Sequence, residues 1–76
     1  MTYREQAKYE REAEITEALA AGPLTVRGIA QLLVDDHVQP GRSLQAQVTQ
    51  SLRVMEREQI VKRETRSHRT YWSLVR

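Results

Sequence analysis

The sequence predicts a small α+β domain in which three helices are followed by a β-hairpin. Residues 2–21 contain no Gly or Pro and are rich in Glu, Ala, Arg and Gln, all good helix formers. Residues 26–34 and 44–58 each place apolar residues at helical spacing behind a Thr or Ser able to cap a helix. Residues 60–75 change to β-branched and aromatic residues in two runs on either side of a polar tip. The expected order is helix, short strand, helix, helix, strand, strand.

The first helix has a short apolar stripe. Ile15, Ala18 and Leu19 share a face, but upstream that face carries Arg11, Lys8 and Arg4. Residues 1–11 therefore read as a polar extension, either a frayed end or an arm that pairs with a second subunit through Tyr3, Ala7 and Tyr9. Residues 12–76 form the domain itself. Gly22-Pro23 stops the helix. Leu24 follows as a strand of one or two residues.

Thr25 caps the second helix, over 26–34, with Ile29, Leu32 and Leu33 as its buried side and Ala30 permitting close approach. The acid that would complete a capping box is replaced by Gly28. Residues 35–42 form a connection with Pro40-Gly41 as its turn. Ser43 caps the third helix, over 44–58. On a wheel of about 100° per residue, Leu44, Val48, Leu52 and Met55 fall on one side, and Ala46, Gln50, Arg53 and Arg57 fall opposite with Thr49 beside them. Residues 60–65 and 70–75 are the two hairpin strands. Alternation points Trp72 and Leu74 inward, with Trp72 against Leu52 and Ile60, and leaves Arg66-Ser67-His68-Arg69 as the tip.

Composition bounds the function. The 76 residues make one domain, since chains run about 100–200 residues per domain. Only 39% are apolar, and seven of these are alanine, so the core is thin. There is no cysteine, hence no disulfide framework, thiol nucleophile or zinc finger. No apolar run approaches the roughly 20 residues of a membrane span. The opening Met1-Thr2-Tyr3-Arg4-Glu5 lacks the basic-then-apolar pattern of a signal peptide. A soluble, cytoplasmic chain is expected, with no membrane partner.

Enzymatic chemistry finds little to work with. The two histidines, His37 in a loop and His68 at the tip, have no second ligand at metal spacing, and the three glycines are isolated. No catalysis, metal, cofactor or small-molecule effector is expected. Charge is more telling. The net charge is +2, but residues 1–22 hold three Lys/Arg against five Glu, whereas residues 60–76 hold five Lys/Arg against Glu64 alone. Such a basic C-terminal segment is a footprint that a polyanion can use.

The run from Ser43 through Glu56 has a capping Ser, then Val48, a polar pair, Leu52 and Met55-Glu56. With Ile60-Val61-Lys62-Arg63 and with 25–33, it resembles the winged helix-turn-helix family of MarR-like and ArsR-like bacterial repressors. The resemblance covers residues 15–75. Two departures stand out. Gln59 occupies a position where the family often has a left-handed glycine, and the connection from Asp35 to Arg42 is longer than a tight turn. The resemblance implies a third helix lying in a DNA major groove and a hairpin, the wing, over 62–70 touching backbone or minor groove.

The residues fit that chemistry on their own terms. Gln50 can bond adenine, Arg53 can bond guanine, and Ala46 or the Thr49 methyl can meet a thymine methyl. Ser43 and Gln45 sit at the helix start, where backbone amides can face phosphate. Arg63, Arg66, His68 and Arg69 supply cations to the wing. The expected function is a sequence-specific double-stranded DNA-binding regulator, a repressor, acting as a homodimer so that contacts double. A winged-helix module that binds a protein instead is the alternative, since fold does not fix function.

Overall fold

Helix α1 spans Tyr3–Leu19, α2 Val26–Leu32 and α3 Arg42–Arg57 in a computed structural model that describes residues 3–75, with side chains from Tyr9 onward. Strands β1 (Val61–Arg66) and β2 (Arg69–Leu74) pair antiparallel as a hairpin. The α+β class is thus observed, with three helices and two strands. The expected third strand is not: Leu24 makes only an isolated bridge to Trp72, its N–H and C=O both exchanged with the backbone of that residue at 2.9 and 2.7 Å. Pro23 on one side and the cap of α2 on the other leave it no room to extend.

Each helix end has a local cause. α1 closes into Gly22, whose φ of 141° lies where L side chains are strained, although a Cβ there would meet nothing within 4 Å. Gly22→Ala is therefore expected to destabilise the fold by about 1–3 kcal/mol purely through the backbone. Urea melts would check this, and an unchanged midpoint would refute it. Thr25 caps α2 as its chemistry demands, its Oγ1 accepting from the N–H of Gly28 at 3.0 Å.

The helix is shorter than its apolar pattern suggests and ends at Leu32. Its buried arc runs through Ile29 and Ala30 with Leu33 between them on the wheel, which leaves Leu32 about 110° from the middle of that arc at 100° per residue. Leu32 is accordingly 61% exposed rather than buried.

The long connection into α3 is held by side-chain amides at both ends. Gln31 Nε2 donates to the carbonyls of Asp35 (3.3 Å) and Val38 (3.0 Å), and Gln45 Nε2 donates to that of Pro40 (3.1 Å). Pro40 is buried. Gly41, extended at φ −71° and ψ 165°, becomes the N-cap, and its carbonyl already accepts from Gln45 N–H at 3.1 Å. Ser43 is consequently the second residue of α3, within its first turn, and does not cap it.

α3 ends in a Schellman motif. Ile60 N–H donates to Met55 C=O at 2.9 Å and Gln59 N–H to Glu56 C=O at 3.0 Å, with Gln59 left-handed at φ 63°. That geometry makes Ile60 part of the helix stop, so the inward strand position passes to Val61. Ile60 is 38% exposed and Val61 fully buried. Trp72 is buried as its alternation predicts, but in a cluster with Val61 rather than Ile60. That core also takes Ile15, Leu19, Ile29, Ala30, Val48, Leu52 and Met55. The two-residue tip, Ser67-His68, has both φ values positive, 49° and 66°, a turn that normally selects Asn-Gly.

Candidate nucleic-acid interface

The core side of α3 is set by Val48, Leu52 and Met55, all fully buried. Helical spacing then fixes what faces outward: Arg42, Ala46, Gln50, Arg53 and Arg57 fall within about 80° of arc on the opposite side. All five are exposed. No acid interrupts the stripe, and among the described residues none of its three arginines makes an ion pair. Ala46, Gln50 and Arg53 are thus brought together as the sequence pattern anticipates. Arg42 at the helix start extends the stripe by a turn, a residue that a cap at Ser43 leaves outside the helix.

Gln45, Thr49 and Ser43 are differently employed. The Gln45 amide is half-buried on the Pro40 carbonyl, and Thr49 Oγ1 donates to the Gln45 carbonyl at 2.9 Å. Both therefore hold the helix and its approach loop, while the exposed Ser43 lies in the first turn. Arg11 of α1 donates to Gln47 Oε1 at 3.3 Å and braces α3 from its flank.

The hairpin separates its cations by face. The register pairs Val61 with Leu74 and Arg63 with Trp72, so Arg63 shares the inward face. Its guanidinium lies 5.9 Å from the Trp72 ring centroid and its Nε is 3.2 Å from Glu56 Oε2 on α3. Arg63 therefore ties the hairpin to α3. Arg66 and Arg69 are opposite each other beside the tip, on the outer face. Arg66 is paired with Glu64 at 2.9 Å, which holds the Glu64 carboxyl below its ordinary range and raises the guanidinium, chiefly by that hydrogen bond and then by charge attraction.

His68 is exposed at the tip. Arg69 makes no ion pair among the described residues and, with Arg27, Thr25 and Thr70, lines an open groove of ≈ 430 Å³ between α2 and the hairpin. Arg27 is oriented there by Gln39 Oε1 at 2.9 Å. Sequence reading misses it because only folding brings residues 27 and 69 together.

Among the described residues no three His, Asp or Glu side chains gather as a metal site, and no helix is long and apolar enough to cross a membrane. Comparison with family models, with curated proteins and with solved structures finds no match, which leaves residue chemistry as the ground for function.

Proposed function

We propose that the chain is a sequence-specific double-stranded DNA-binding regulator, a repressor working as a homodimer on a near-palindromic site. In this reading α3 enters the major groove and the hairpin meets backbone or minor groove. The acid-free, exposed Arg42-Ala46-Gln50-Arg53-Arg57 stripe carries the proposal. Solvated helix faces usually mix Lys with Glu, whereas this one offers base-edge donors and acceptors flanked by cations able to meet phosphate.

Selection from a random duplex pool tests the reading: a recurrent motif bound well above random duplex, at stated salt, supports it. A pool that stays random after selection sinks it. That outcome would favour the protein-binding module, a reading supported by Glu56 and Glu64, which occupy two of the hairpin cations.

Salt dependence tests the backbone contacts separately. Arg27 and Arg69 have no acid neutralising them among the described residues. Replacing both with alanine removes up to four phosphate contacts in a dimer, so log affinity against log salt should flatten by roughly 2–4 units. Affinity for specific and random duplex should fall alike, with the thermal midpoint nearly unchanged. An unaltered slope would show that this groove does not meet phosphate.

A further inference from the structure

Two shallow grooves meet on one side of the molecule. The larger, ≈ 460 Å³, lies between α1 and the end of α2, floored by Ala18, Ala21, Leu32 and Leu33 and rimmed by Glu14 and Glu17. The smaller, ≈ 300 Å³, runs from the same Ala21 across Gly22-Pro23 to Lys62 and Leu74 of the hairpin. Sharing Ala21, they form one continuous surface with an apolar middle, an acidic end and a cationic end. Leu32, at 61%, is the most exposed of the large apolar side chains described. Glu17 and Lys62 make no ion pair among the described residues.

We infer that this surface is the contact between two copies of the chain, related by a two-fold axis near Ala21. Leu32 of each copy is covered by the other, and Glu17 of each faces Lys62 of the other. The charge pattern argues for a second copy over a different partner. A two-fold contact is isologous, each patch meeting itself turned around, so acid at one end and cation at the other become complementary. A partner of uniform charge would meet like charge at one end, which disfavours it. An apolar side chain this exposed, within a groove rimmed by polar residues, is also where a contact gains by excluding water.

This contact gives a location to the pairing in the functional reading above, and it needs no DNA. Sedimentation equilibrium of the full chain without DNA is the test, with circular dichroism and melting of every variant as the folding control. A monomer–dimer equilibrium is expected, lost in Leu32→Glu, whose site is too exposed to upset folding. Glu17→Lys and Lys62→Glu should each weaken the dimer about tenfold or more, because each sets like charges against one another. The double variant Glu17→Lys/Lys62→Glu should restore it to near the original strength, and because the single variants shift the net charge of +2 in opposite directions, a weaker dimer in both cannot be a net-charge effect.

Three results would overturn the inference. One is a chain monomeric up to about 1 mM, the weak end of useful affinity. The second is a dimer indifferent to Leu32→Glu, or a double variant no better than its single parents. The third is assembly beyond the dimer, which would mean acid-to-cation contacts that do not close. A monomer that still selects a DNA motif would remove this contact and leave the DNA reading standing.

Discussion

Trp72→Ala should cost about 3–5 kcal/mol, the usual range for truncating a buried aromatic side chain. Small domains have about 5–15 kcal/mol in all, and one this short stands at the low end, so the variant should be largely unfolded at moderate temperature. Trp72 is 4% exposed, packs in the core cluster and carries Arg63 over its ring. Its backbone also holds the bridge to Leu24, so losing the side chain loosens the seam between hairpin and helices. The native protein should emit at the blue-shifted wavelength of a buried indole and move red in urea. A native emission already at the solvent-exposed wavelength would contradict this placement, as would a substitution costing less than about 1 kcal/mol.

Gln50→Ala and Arg53→Ala should each weaken binding to the selected duplex by about 1–3 kcal/mol, roughly 5- to 150-fold, if they read base edges. Binding to random duplex should change far less. Both side chains are exposed on the acid-free stripe, and neither donates or accepts a side-chain hydrogen bond among the described residues, so removing them should leave folding intact. Competition titrations at fixed salt measure the two losses together. Equal losses on both duplexes would reduce these residues to phosphate contacts and take sequence readout away from α3.

What the sequence made legible divides by the range of the interaction. The Thr25 cap, the stop at Gly22 and the inward Trp72 each follow from chemistry within a few residues, and each is found. Features decided by two competing local solutions were not readable. Ser43 and Gly41 can both precede a helix, and the buried Pro40 with its Gln45 bond selects Gly41. Ile60 and Val61 are equally strand-like, and the Schellman geometry hands the inward position to Val61.

The candidate site follows the same rule. The α3 stripe is a matter of helical spacing and was visible in advance. The fate of the hairpin cations depends on partners brought up by folding: Glu56 for Arg63, Glu64 for Arg66, and Arg27 as the neighbour of Arg69. A count of basic residues sees four equal cations there. Folding leaves them unequal.

The junction after α3 has a consequence for how this chain can vary in length. Ile60 both closes the helix through Met55 and starts the sheet by accepting from Val75 N–H at 3.0 Å, so no residue is spare between them. A one-residue insertion between Glu58 and Val61 would reverse the parity of β1, turning the buried Val61 outward and Lys62 to the inward face. The same insertion among the exposed residues 35–39 would only lengthen a surface loop. Natural or engineered variants of this chain should therefore differ in length before α3 and hardly ever just after it.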